Sequence, residues 1–216
     1  MLLQYYGHSL FTLTTERGET LATDPYGDLY QYPKRRLRAQ LCTVSHHHFD
    51  HDDLGAFESK PLVLDTPGAY TSPQGVKLTG VPTWHDHHQG AHRGPNLVFV
   101  LEAEGLRVVH CGDLGHVPTR EQARAIGKPD VLLLPVGGNY TINGQEALET
   151  VRLLKPRVFI PMHYRTAYNP EMAVEPLSSF LALTEGPAPA PAALLRLTAQ
   201  DISQREGLMV MEILPG

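Results

Sequence analysis

Apolar positions along the chain fall into short runs, most of them too brief for helices. Leu2–Tyr6, Leu10–Thr14 and Glu19–Thr23 are β-rich, with the turn signal Glu16-Arg17-Gly18 before the third, and predict a meander. Leu41–Ser45, Pro61–Asp65, Gly75–Pro82, Leu97–Ala103 and Leu106–His110 read as further strands, the last two joined by a hairpin turn at Glu104-Gly105. Helical spacing is clear in two places. Thr119–Ile126 opens on Thr119 as N-cap with Gln122 three residues on, and Asn143–Leu154 repeats Ala147, Leu148, Val151 and Leu154. Asp130–Pro135 and Arg157–Pro161 then follow these helices as buried strands. A short helix is predicted at Asp52–Phe57. Residues 187–193, PAPAPAA, read as a rigid linker-like stretch before a last strand at Gly207–Leu214. Strands first and strand–helix alternation afterwards predict sheets with helices on the outside.

Composition narrows the classes. A chain of 216 residues can bury a core without disulfides, and is read as one domain over 1–216. Its two cysteines, Cys42 and Cys111, each adjoin an apolar run, which predicts buried thiols in a reducing compartment. A net charge of −5 argues against a general nucleic-acid binder. The opening MLLQYYGHSLFTL lacks a positive n-region and a small-residue cleavage site, and no apolar run approaches a membrane span, so a cytoplasmic location is expected.

The chemistry concentrates after Leu41–Ser45. His46 to Asp53 packs four histidines and three aspartates into eight consecutive residues. On extended backbone alternate side chains share a side, so His46 and His48 can grip one ion, with Asp50 in the same parity and His51 where the chain turns. Imidazole suits zinc and its neighbours, and carboxylate oxygen adds a harder ligand. His47 and Phe49 should face the other way. Four ligands cannot complete two metal sites, so others must come from distant segments. His85 follows GVPTW and opens HDHHQGAH, Asp113 sits in HCGDLGH, and His163 sits in PMHY, each at the end of an apolar strand.

The pattern His46-x-His48-x-Asp50-His51, followed by His85, Asp113 and His163, resembles the metallo-β-lactamase superfamily. YYGHS (5–9), TDP (23–25), RGPN (93–96), GDLGH (112–116), GGNYTI (137–142) and IPMHY (160–164) extend the resemblance over roughly residues 2–166. They look like the branch of stand-alone hydrolases that contains the phosphorylated-ascorbate lactonase. The implied fold is a four-layer αβ/βα sandwich, with two mixed β-sheets face to face, helices outside and metals at one edge.

The resemblance also implies roles. One divalent transition-metal ion would be held by His46, His48 and His85, and a second by Asp50, His51 and His163. Asp113 would bridge both, which an anionic oxygen donor can do and a neutral imidazole cannot. Zinc is the first expectation, and manganese, iron and nickel also suit such donors. Two cations about 3.5–4 Å apart would generate a shared hydroxide as nucleophile. Asp24 is expected to orient a ligand histidine, and His8 to play a similar part or to be a satisfied core histidine. Of the polar neighbours, His116 and one residue of the 85–92 stretch are expected to face the cavity. Arg93 would hold a phosphate or carboxylate and Tyr140 would donate to an oxyanion, against the plainer alternatives of a surface ion pair and a core hydroxyl. The expected function is hydrolysis of a lactone or ester in a small metabolite, phosphorylated or not. A lipid or small-molecule phosphodiesterase and a non-catalytic metal-binding protein are the alternatives. No nucleic-acid partner is expected, and a homo-oligomer is compatible with the chain.

Overall fold

A computed structural model describes residues 1–28, 30–33 and 36–214. Its first sheet contains β1 (Leu2–Tyr5), β2 (Phe11–Thr14), β3 (Thr20–Thr23), β4 (Leu41–Thr43) and β5 (Leu62–Leu64). The chain then forms β6 (Gly68–Thr71), β7 (Lys77–Trp84), β8 (Pro95–Ala103), β9 (Leu106–His110), α1 (Arg120–Ile126), β10 (Val131–Pro135), α2 (Gly144–Leu154) and β11 (Val158–Met162). The last elements are α3 (Leu177–Leu181), β12 (Leu195–Arg196), α4 (Ala199–Ser203) and β13 (Gly207–Leu208). Strand order is β12-β1-β2-β3-β4-β5 in one sheet and β13-β11-β10-β9-β8-β7-β6 in the other. Both sheets are mixed: β1–β3 pair antiparallel and β3–β5 parallel, whereas β6–β9 pair antiparallel and β9–β11 parallel.

One apolar core lies between the sheets. Leu3, Phe11, Leu21 and Leu41 from the first meet Leu78, Val98, Val108 and Leu133 from the second. β10 and β11 are buried at every residue, which explains why VLLLP and VFIPM read as continuous apolar runs rather than alternating ones. Both predicted helices form with full capping boxes, Thr119 with Gln122 and Asn143 with Glu146, each N-cap contributing about 1 kcal/mol. Helix α2 buries Ala147, Thr150 and Leu154. The outer face of the first sheet carries Ala22 and Cys42. Among the described residues it is covered by Tyr26, Tyr32, Leu37, Ala39 and Phe57, which belong to irregular segments rather than an α-helix.

Three expectations are corrected. The helix predicted at Asp52–Phe57 shortens to a 3-10 turn at Leu54–Ala56, where Asp53 accepts from Gly55 N and closes the turn. The strand predicted over Gly207–Leu214 stops at Leu208, because the chain changes partners. It leaves β11 and makes single bridges to Ala192 through Met211 and to Tyr5 through Ile213. β7 runs two residues past Pro82, which is tolerated because β6 ends opposite Gly80 and leaves Pro82 only β8 as a strand neighbour. β6, α3, β12 and α4 carry too few residues to leave a periodic signal. No helix among the described residues is long and apolar enough to cross a membrane.

Candidate metal centre

Loops that leave β1, β3, β4, β7, β9 and β11 bring their polar side chains to one edge of the sandwich. Three of these residues take left-handed backbone without being glycine: His8 (φ 52°), Asp24 (φ 40°) and His163 (φ 54°). Such conformations cost energy and persist only where the surroundings over-determine them. Here the loops are tied together, as His163 N donates to His8 O (2.9 Å) and Tyr5 Oη donates to the same oxygen (3.0 Å). The two glycines of GDLGH are required by contact. A Cβ at Gly112 would stand 2.4 Å from Ser45 Cβ, and one at Gly115 would stand 2.2 Å from the backbone of His85 and Asp86.

Asp24 is fully buried and organises the first histidine stretch. Its Oδ1 accepts from Ser45 N (2.8 Å), and its Oδ2 accepts from Ser45 Oγ (2.6 Å) and His51 Nδ1 (3.0 Å). Because Ser45 Oγ spends its proton on Asp24, it accepts from His46 Nδ1 at 2.9 Å. Both His46 and His51 are therefore protonated on Nδ1 and present Nε2 to the cavity. Ser45 was not singled out in the sequence, and neither was Asn96, whose Oδ1 accepts from Asp113 N (2.9 Å) while its Nδ2 donates to Thr83 Oγ1 and Cys111 O. An asparagine inside the RGPN motif was the available signal for Asn96.

The ligand-type atoms converge in three groups, each lying within 4.8 Å: His46, His48 and His85; His8, His51 and His163; His46, His51 and Asp113. Asp113 lies between them. Its Oδ1 is 3.4 Å from His51 Nε2, and its Oδ2 is 3.4 Å from His85 Nε2 and 3.2 Å from His163 Nε2. His8 goes deeper than expected, with its Nε2 3.1 Å from both Asp50 Oδ2 and His51 Nε2. Asp50 Oδ2 stands 3.9 Å from His51 Nε2. His46 Nε2 and Asp113 Oδ1 are buried without a hydrogen-bond partner. Buried polar atoms left unpaired are costly, and a lone imidazole nitrogen beside a lone carboxylate oxygen is what a divalent cation would satisfy. The residues fit metal ions.

Electrostatics before any cation binds follow the same geometry. Burial alone would raise the Asp113 carboxyl, but the His163 and His51 imidazoles more than offset it and hold it well below the usual range. Burial opposes a charge on His51, yet Asp113 and Asp24 raise its pKa well above 6.5. Burial lowers His46 to about 3, and burial together with His163 lowers His8 to about 4.

A cavity of about 360 Å³ opens over these groups. His48, Asp50, His85, Asp113 and His163 line one side of it, and Tyr30, Phe49, His92, Arg93, Tyr140 and Met172 complete the wall. A larger cavity, about 470 Å³, is bordered by Tyr26, Tyr32, Arg36 and Asp53 and has no histidine or cysteine among its described lining residues; chemistry rather than volume selects the smaller one. Arg93 and Tyr140 stand together, the guanidinium carbon 5.3 Å from the ring centroid. His92 is the member of the 85–92 stretch, besides His85, that reaches the cavity.

His116 does not reach it. Its Nε2 accepts from Trp84 N (3.2 Å) and its Nδ1 donates to Val117 O (2.9 Å), so both nitrogens serve the backbone. His47 turns outward to Asp52 and Asp65, as parity predicts. Phe49 also turns outward, yet it still borders the cavity mouth. Tyr30, Phe49 and Met172 were not anticipated, since single aromatic or thioether residues in loops carry no periodic or chemical signal.

Comparison with known proteins agrees with the geometry. Residues 2–163 match the family described as the Beta-lactamase superfamily domain. A UPF0173 metal-dependent hydrolase from Carboxydothermus hydrogenoformans is 32% identical over 198 residues, covering 77% of this chain and 85% of that protein. One from Methanoculleus marisnigri is 31% identical, covering 77% and 82%. A crystal structure from Thermotoga maritima, assigned as a Zn-dependent hydrolase of the metallo-β-lactamase superfamily, is 38% identical with a TM-score of 0.78 over 97% of this chain and 98% of that one. With three quarters of its length in that match and its polar loops gathered at one sheet edge, the chain belongs to the β-lactamase superfamily, among relatives named metal-dependent hydrolases.

Proposed function

We propose that this metal-dependent hydrolase works through a dinuclear centre, and that it cleaves a lactone or ester bond in a small anionic metabolite. The observation that carries the reading is Asp113, a buried carboxylate whose two oxygens face histidines from three different loops. His46, His48 and His85 would hold one divalent ion; Asp50, His51 and His163 would hold the other, with Asp113 between them. His8, neutral at physiological pH, donates to Asp50 and fixes that carboxylate. Divalent ions held by these residues would supply an activated water and Lewis-acid polarisation of the bond to be cleaved.

The chain's own groups do the rest. Asp24 holds His51 directly and His46 through Ser45, so neither ring can turn its lone pair away. The backbone N–H of Arg93 is held by Asp86, but its guanidinium has no ion-pair partner among the described residues, which supports it as the anchor for a substrate phosphate or carboxylate. Tyr140 stands beside it, with its hydroxyl available to an oxygen that gains charge. Zinc is the first candidate for the metal, with manganese, iron and nickel compatible with the same donors.

A panel of sugar-phosphate lactones, simple esters and bis-aryl phosphodiesters, assayed on the metal-loaded protein, tests the reading. Turnover of anionic lactones or esters is expected. Turnover confined to the phosphodiesters would overturn it.

A further inference from the structure

Phe49, Met172 and Tyr30 line the cavity wall and have no part in holding metal or anion. Phe49 lies between two ligand-type residues, His48 and Asp50, and is 70% exposed, more than any other large hydrophobic among the described residues. Its sequence parity turns it from the metals and leaves it at the cavity mouth. Met172 is buried and comes from the segment after β11 that carries no motif.

That segment is built rather than loose. Asn169 is fully buried; its Oδ1 accepts from Thr166 N and Oγ1, and its Nδ2 donates to Tyr164 O and contacts Met172 Sδ at 3.2 Å. The thioether is therefore held at the wall. Tyr30 is half-buried, and the next residue, Gln31, donates its N–H to Tyr168 O (2.7 Å), tying the two loops together.

We propose that the substrate carries an apolar acyl or aryl arm, seated against Phe49, Met172 and Tyr30, in addition to the anionic group that Arg93 holds. The inference rests on the hydrolase reading and narrows its substrate class. A thioether and a phenyl ring offer no strong hydrogen bond and no charge, so only apolar surface gains from meeting them. An exposed phenyl ring inside the ligand motif loses its contact with water once such an arm covers it. A cavity of about 360 Å³ suits a metabolite-sized arm rather than a polymer. Arg93 supplies the complementary charge, which makes the favoured substrate amphipathic.

The test is calorimetric binding of acetate, butyrate, hexanoate and octanoate to the zinc-loaded full chain, with acetyl and hexanoyl esters assayed in parallel. Affinity should tighten up to about fourfold per added methylene until the cavity is filled. Phe49→Ala should weaken hexanoate about tenfold and leave acetate binding and metal content unchanged, while Phe49→Leu should recover most of the loss. Equal affinity across the series would overturn the proposal, as would an equal loss for acetate and hexanoate in Phe49→Ala. Chain-length-dependent binding without ester turnover would uphold the apolar arm and count against the ester reading alone.

Discussion

Residues 46–53 and 85–93 are close in composition, HHHFDHDD against HDHHQGAHR, and the fold uses them in opposite ways. The first stretch leaves β4 and sends His46, His48, Asp50 and His51 toward one cavity. The second leaves β7, contributes His85, and then curls around a carboxylate. Asp86 accepts backbone N–H bonds from His88, Gly90, His92 and Arg93, at 2.7, 3.0, 2.9 and 2.8 Å. His87 is spent on Glu146, and His88 packs edge-on against His92. Histidine content alone therefore does not make a ligand set. The first stretch collects side chains around one cavity that could hold metal, whereas the second collects its own backbone around Asp86 and so sets where Arg93 stands.

Loss of the Asp113 carboxylate, which both stretches face, should have the largest effect. Asp113→Ala should lower hydrolysis by more than about a hundredfold and weaken metal binding at both groups, more than losing a residue that only orients a ligand would. Rates measured with elemental analysis check this, and a variant retaining full metal and activity would deny Asp113 its shared role.

A pH effect comes next. His51 has a raised pKa, so its proton stabilises the metal-free fold below the ordinary value of 6.5, and that contribution fades as pH climbs through the raised value. A metal ion needs the neutral ring, so affinity should rise with pH over that interval as binding displaces the His51 proton. His46 and His8 are already neutral near pH 7, so binding takes no proton from them. Calorimetry in buffers of different ionisation enthalpy counts the protons.

In the second stretch, Arg93→Ala should raise KM for an anionic lactone about tenfold with a smaller change in kcat, because a remote clamp serves ground and transition states alike. Asp86→Ala should push KM the same way by less, about threefold, and lower Tm as four N–H groups lose their acceptor. A kcat loss equal to the KM rise in Arg93→Ala would mean that the guanidinium acts on the reacting group itself. The smallest effect belongs to His47→Ala, within about twofold of the parent, since its ring faces Asp52 and Asp65 at the surface.

Much of this was legible in the sequence, for physical reasons that also set the limit. Runs such as VLLLP announce a doubly covered strand, and Thr119 and Asn143 announce helix starts through capping that uses only local backbone. His46, His85, Asp113 and His163 were visible because few residue types can bind a cation and each follows an apolar strand. What the sequence hid depends on tertiary convergence. His8 and Asp50 are 42 residues apart, and the Ser45 relay from Asp24 to His46 exists only because β3 and β4 pair in parallel. His116 misled, since it shares the GDLGH motif with Asp113 but turns back to the backbone of Trp84. Composition could not tell Asp50, in the cavity, from Asp86, which a closed loop surrounds.

If the Asp113 carboxylate is shared between two cation sites, both sites depend on it. Native mass spectrometry of the metal-stripped chain titrated with zinc reads this out. Saturation at two ions per chain is expected in the parent, with loss of both from Asp113→Ala at the same zinc concentration. Saturation at a single ion, or an Asp113→Ala variant that still takes up two, would contradict it.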